Sequence, residues 1–125
     1  MLKGPLSLKT ILNPHHYHVE KQILIVDDEP FNLQAMMVVL KVSASQLGFP
    51  PTLIDDIVDQ ELSGLGAVEQ VVNNNKLYKL IITDLSMPVM DGYQATVKIR
   101  QYMANNLLRQ PVIIACTGHT EQEFI

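Results

Sequence analysis

From Ile23 onward the chain alternates short, unbroken apolar runs with longer stretches in which apolar residues recur at helical spacing. Ile23-Leu24-Ile25-Val26, Leu80-Ile81-Ile82-Thr83 and Val112-Ile113-Ile114-Ala115 are continuous and rich in β-branched residues, the pattern of strands buried on both faces of a parallel sheet. Between them a helix is predicted from Pro30 to about Gln46. Pro30 suits the first helical position, where a missing N–H costs nothing, and the acids before it complement the helix dipole. Gly48-Phe49-Pro50-Pro51 should end that helix. A second strand is expected within Thr52–Val58, interrupted by Asp55 and Asp56, then a helix from near Gly66 to Asn73, where a run of Asn is a stop signal. A last helix is predicted over Gly92–Asn105. Strands alternating with helices in this way predict an α/β fold with a doubly wound parallel sheet. The residues before Gln22 carry Pro5, Pro14 and the cluster His15-His16-Tyr17-His18 without a sustained period. They read as an N-terminal extension or linker, residues 1–21, to a single domain over 22–125.

Composition narrows the class. A chain of 125 residues suits one hydrophobic core. With 47% apolar and 18% charged residues, and no apolar run near the length of a membrane span, the expected class is a soluble globular protein with no membrane segment. No apolar stretch followed by a small-residue cleavage site marks a signal peptide, so the expected location is cytoplasmic. A net charge of -4 argues against nucleic-acid binding through bulk electrostatics. Cys116 is the single cysteine, which excludes an internal disulfide, and its apolar surroundings predict a buried small hydrophobe. His15, His16 and His18 could ligate a transition metal, but their irregular spacing, with Glu20 the one acidic neighbour, fits a solvated tail better.

The candidate chemistry lies at the strand ends. In open parallel sheets ligands bind outside the carboxyl ends of the strands, near the point where strand order reverses. Strand one runs into Asp27 and Asp28, the strand after the Asn run into Asp84, and the last strand into Thr117, so all four converge on one rim. Two carboxylates about 4 Å apart repel by roughly 4 kcal/mol at an effective dielectric of about 20, so the cluster needs a cation or a raised pKa. Oxygen-only ligands with open positions suit Mg2+, which keeps several waters and takes phosphate oxygens as further ligands. Phosphoryl transfer to a carboxylate is chemistry such a site can support, with a hydroxyl such as that of Thr117 able to hydrogen-bond a phosphoryl oxygen. Each residue alone also has an ordinary reading: Asp27 and Asp28 as helix caps, Asp84 in a solvated turn, Thr117 as a loop hydroxyl. Taken together, on one rim, they favour the site.

These residues resemble the response-regulator receiver family. Ile23-Leu24-Ile25-Val26-Asp27-Asp28-Glu29-Pro30 is similar to its first strand and acidic pair. Asp84-Leu85-Ser86-Met87-Pro88-Val89-Met90-Asp91-Gly92 is similar to its phosphoacceptor strand end and loop, a highly specific match. Val112–Gly118 resembles the fourth strand with its switch hydroxyl, and Gly64–Val68 the start of the second helix. The resemblance implies a flavodoxin-like fold with strand order 2-1-3-4. It implies Asp84 as phosphoacceptor, Asp28 as a direct Mg2+ ligand alongside Asp84, Asp27 as a partner through water, Ser86 as a ligand through its backbone carbonyl, and Thr117 as the switch hydroxyl. Met87-Pro88 and Asp91-Gly92 would shape the loop, Pro by fixing a dihedral and Gly by tolerating a strained one. Asn32, two residues after Pro30, is in the style of receivers attached to hybrid histidine kinases.

The family has a fifth strand ending in a lysine, then a fifth helix. No lysine follows Thr117 here, Lys98 being the last, so the domain is expected to be C-terminally incomplete, with Val112–Ala115 an exposed apolar edge. The helix from Pro30 is apolar nearly all round, with Asn32, Gln34 and Lys41 its polar stripe. Met36, Met37 and Leu40 are expected to contribute to a partner or dimer surface, the alternative being burial against a fifth helix in a longer parent. Expected partners are a histidine kinase or a histidine phosphotransfer domain, and a second copy of the chain, as a homodimer through the edge strand or this helix, is the further candidate. The expected role is a phosphoacceptor regulatory domain, not a turnover enzyme, that assists its own phosphotransfer and dephosphorylation. A truncated pseudo-receiver, binding partners without phosphorylation, is the alternative. An aspartate phosphatase would want an Asp-x-Asp motif, which Asp27-Asp28-Glu29 lacks.

Overall fold

Ile23–Val26 forms β1, and it lies in the interior of the sheet, as its unbroken apolar sequence requires. The computed structural model describes residues 20–116, so Thr117, His15, His16, His18 and the expectations placed on them lie outside the described residues. The elements that follow are α1 (Pro30–Gln46), α2 (Thr52–Ile57), β2 (Val58–Glu61), α3 (Gly64–Val72), β3 (Leu80–Thr83), α4 (Gly92–Asn105) and β4 (Val112–Ala115). The four strands are parallel in the order β2-β1-β3-β4, with Ile23 opposite both Val58 and Leu80, and Leu80 opposite Val112.

Alternate side chains of the strands fill two cores, one on each face. Leu24, Val26 and Ile81 pack with Ala67 and Val71 of α3 and with Ile99 and Met103 of α4. On the other face Ile25 and Val58 pack with Leu33 and Ala44 of α1 and Ile54 of α2. Leu24, Ile25 and Val26 have no exposed surface, and burying one such side chain is worth about 1.5–3 kcal/mol. Helices on both faces therefore hold the ends of β1 and β3 side by side at one rim.

The second strand is not where the sequence pattern placed it. Thr52–Ile57 is a short helix, started by Pro50 and Pro51, whose carbonyls accept the N–H groups of Leu53 and Ile54. Helical spacing turns Ile54 and Ile57 inward together and leaves Asp55 outside, where it pairs with Lys41 at 3.0 Å. Asp55 and Asp56 thus belong to a helix and do not interrupt a strand. The strand follows at Val58–Glu61. Asp59, in that strand, is held by three partners: the Tyr78 hydroxyl donates to it at 2.5 Å, with Lys76 at 3.3 Å and Lys21 at 4.0 Å. Burial first, then the Asp59 hydrogen bond and the charges of Asp59 and Glu61, hold the Tyr78 hydroxyl protonated well above its ordinary range. Helix α3 begins at Gly64, earlier than its apolar pattern indicated, because the Ser63 hydroxyl accepts the Gly66 N–H at 3.0 Å and caps it.

Two further expectations change. Met36, Met37 and Leu40 pack against the Ile25–Leu33 core, so they line the sheet side of α1. They share a stripe with Leu33 and Ala44, at the three-and-four spacing of one helix face. The apolar residues that α1 turns outward are Phe31, Val38, Val39 and Val42. Cys116 is exposed, since β4 has one strand neighbour among the described residues and its last positions lack cover. Val112 and Ile114 are likewise exposed at this edge. No helix among the described residues is long and apolar enough to cross a membrane.

Candidate functional site

The backbone N–H of Asp84 donates to the Val26 carbonyl at 2.9 Å, and that of Asp27 to the Glu61 carbonyl at 3.1 Å, so the ladder itself carries both carboxylates past the strand ends. Asp27, Asp28 and Asp84 each offer an oxygen, and these lie within 4.8 Å of one another. They differ in exposure: Asp27 is buried, Asp28 exposed and Asp84 half-buried. Burial pushes the Asp84 carboxyl above its ordinary value. The Ser86 N–H, 3.3 Å from Oδ1, opposes that push, while the charges of Asp27 and Asp28 add to it.

Asp27 is the most constrained of the three. Its Oδ1 accepts the Glu29 backbone N–H at 2.9 Å and its Oδ2 the Asn32 side-chain amide at 3.2 Å. Glu29, at the N-cap of α1, makes no side-chain cap of its own, so this pair of bonds also secures the start of the helix. One side chain thus both ties down the start of α1 and stands in the acidic cluster.

The loop after Asp84 is fastened at several points. The Met87 side chain is buried in the core beneath α3 and α4. Asp91 and Gln94 form a reciprocal capping box, at 2.8 and 3.0 Å, that opens α4 and keeps Asp91 away from the acidic cluster. Gly92 donates its N–H to the Leu85 carbonyl at 3.1 Å, and a Cβ there would run into the Asp84 carbonyl oxygen. Glycine is required at this position for close approach, not for an unusual dihedral. The dihedral strain lies instead at Val89, a β-branched residue at φ 70° with its side chain in solvent.

The sequence-predicted acids Asp27, Asp28 and Asp84 thus come together, with Ser86 beside Asp84, while Thr117 lies outside the described residues. Glu61, the acid at the end of β2, is not in the cluster, because Gln70 of α3 donates to it at 2.8 Å. The contact that sequence reasoning missed is the one between Asn32 and Asp27. Its one trace in the sequence was an amide on the first turn of the helix that follows the acidic pair.

An oxygen-only donor set of three clustered carboxylates, one held up in pKa by burial and by the others, fits a hard divalent cation such as Mg2+.

Comparisons with known proteins bear on the family and the fold. The chain is 34% identical over 79 residues to the two-component response regulator ORR41 of Oryza sativa subsp. japonica, an alignment covering 63% of this chain and 55% of that one. It is 30% identical over 103 residues to the hybrid signal transduction histidine kinase L of Dictyostelium discoideum, covering 82% of this chain and 5% of that one. The chain therefore spans about half of the first relative and a small part of the second. Among solved structures, the receiver domain of the response regulator Ssk1, in complex with the histidine phosphotransfer protein Ypd1 of Saccharomyces cerevisiae, superposes with a TM-score of 0.58 at 24% identity, over 86% of this chain and 70% of that one. The CheX-CheY-BeF3-Mg+2 complex from Borrelia burgdorferi gives 0.59 at 24%, over 82% and 66%. These two likenesses speak for the fold. Residues 23–125 match the response regulator receiver domain family, and the chain belongs to that family of two-component phosphorelay proteins.

Proposed function

We propose that this domain accepts a phosphoryl group on Asp84 from a phosphohistidine of a histidine kinase or histidine phosphotransfer domain, with Mg2+ at the acidic centre. The observation that carries the reading is the meeting of Asp27, Asp28 and Asp84 within 4.8 Å at the carboxyl rim of the sheet. Asp84 is taken as the nucleophile because it stands at the end of an interior strand and its carboxyl is held only by the backbone N–H groups of Ser86 and Leu85, while Asp27 is also held by the Asn32 side chain and has both oxygens engaged. The Asp84 oxygen attacks phosphorus, the P–N bond to the imidazole breaks, and its electron pair stays on the ring nitrogen. The product is an acyl phosphate on Asp84.

Asp28 and Asp84 would hold Mg2+ directly, with the Ser86 backbone carbonyl as a further ligand and Asp27 acting through a bound water. When bound, the ion supplies neutralising charge to the phosphoryl oxygens in transfer. Thr117 is proposed to turn its hydroxyl toward the phosphoryl group once it has arrived. The acidic centre repels the phosphoryl donor until a cation is bound, so transfer is Mg2+-dependent. Support for the partner comes from the histidine phosphotransfer complex formed by a structural neighbour, and for the ion from the Mg2+-containing neighbour.

The test is labelling with a small acyl phosphate, read by intact mass. The wild-type chain gains one phosphoryl group with Mg2+ and none with chelator, and Asp84→Asn gains none. Labelling of Asp84→Asn at the wild-type level would refute the assignment.

A further inference from the structure

Asn32 stands on the first turn of α1, at the surface, and its amide donates to Oδ2 of Asp27 at 3.2 Å. The other oxygen of the same carboxylate accepts the Glu29 N–H at 2.9 Å. Asp27 is 4% exposed, and a donor on each oxygen fixes the plane of the carboxylate as well as its position. Asp28, beside it, is exposed, and the described residues show no hydrogen bond to its side chain that would orient it in the same way. Asp27 is therefore the rigid wall of the centre.

We propose that Asn32 is a positioning residue that sets the cation preference of the acidic centre, favouring Mg2+ over Ca2+ by tethering Asp27. The inference rests on the reading of this centre as a Mg2+ site. Mg2+ demands short, near-octahedral coordination, uses one oxygen per carboxylate and keeps much of its water. Ca2+ takes more oxygens at longer distances and readily accepts both oxygens of one carboxylate. With a protein hydrogen bond already on each oxygen, Asp27 keeps lone pairs to accept from a cation-held water or to offer one oxygen. Turning both oxygens onto a cation would break the Asn32 contact. Removing the Asn32 donor frees Oδ2 and lets the carboxylate rotate toward a chelating grip, which disorders the Mg2+ arrangement and suits Ca2+.

The experiment is calorimetric titration of the full chain with MgCl2 and with CaCl2, for wild type, Asn32→Ala and Asn32→Leu. Both substitutions remove the donor, and Leu keeps most of the volume. Thermal melting without cation checks the fold of each variant, and Ala or Leu at this surface position suits a helix. Mg2+ affinity is expected to fall about tenfold in both variants. Ca2+ affinity should hold or rise, so that the Mg2+/Ca2+ preference drops. A preference equal to wild type, whether both affinities stay the same or both fall together, would overturn the role of Asn32 while leaving the metal site standing. Absence of Mg2+ binding in the wild type would overturn the reading of the centre, and the inference with it.

Discussion

Gly92→Ala probes how the fold holds the Asp84 carboxylate. A methyl group built on Gly92 meets the Asp84 carbonyl oxygen at less than contact distance, with the Leu85 Cα at 3.0 Å and the Asp84 carbonyl carbon at 3.1 Å. All three obstacles are backbone, so no side chain can swing away to relieve them. The strand end or the start of α4 has to shift, and overpacking of this kind costs about 1–3 kcal/mol. Alanine returns up to about 1 kcal/mol through its better helix propensity and a less flexible unfolded chain. The net expectation is a loss of about 1–2 kcal/mol, or a melting temperature lower by roughly 5–15 °C. Because the displaced group is the Asp84 backbone, labelling by acyl phosphate should slow as well, beyond what the unfolded fraction explains. Thermal melting followed by circular dichroism, with labelling rates measured well below the transition, reads both. A variant as stable as wild type and labelled at the same rate would refute the claim that Gly92 is there for close approach to Asp84.

Four other outcomes follow from the same structure. Asp84→Asn should raise the melting temperature in chelator, because it removes one of three clustered charges from a half-buried position, and it should shrink the stabilisation that Mg2+ gives. Tyr78→Phe should cost about 1–2 kcal/mol by removing the donor to the half-buried Asp59. Since the folded Tyr78 hydroxyl titrates above its unfolded value, its contribution is intact below about pH 10 and is lost as the pH climbs beyond that, so the variant should show a flatter alkaline fall in stability across a melting series. Ile81→Ala, in a central strand at 2% exposure, should cost about 2–5 kcal/mol by urea denaturation. Val89→Asn, which tolerates a left-handed backbone better than a β-branched residue, should add about 1 kcal/mol by the same measurement.

The parts of the fold that were legible in the sequence are those where burial on both faces leaves an unbroken apolar run: β1, β3 and β4 begin and end where their runs do. Helices α1 and α4 were legible from Pro30 at one start and Asp91-Gly92 at the other. The stretch from Thr52 to Glu61 was not, because Val58-Asp59-Gln60-Glu61 is a strand with a single apolar residue, held as an edge by pairing with β1. The apolar residues just before it, Leu53, Ile54 and Ile57, belong to a helix too short for its period to declare itself. The outward face of α1 was misjudged for a related reason: a helix apolar nearly all round has only a narrow polar stripe to mark its outside, and the phase of its inner stripe comes from Leu33 and Ala44. In the site, the three aspartates could be read because strand ends dictate where they go. The tether from Asn32 could not, since it depends on side-chain rotamers across a turn.

Everything proposed for this centre depends on Asp84 receiving the phosphoryl group. The direct measurement is to treat the wild-type chain with acyl phosphate and Mg2+, trap the acyl phosphate by borohydride reduction, and locate the reduced residue by peptide mass spectrometry. One modified position is expected, Asp84, found with Mg2+ and absent with chelator. Modification at Asp27 or Asp28 in its place, or Mg2+-independent modification spread over surface carboxylates, would contradict it.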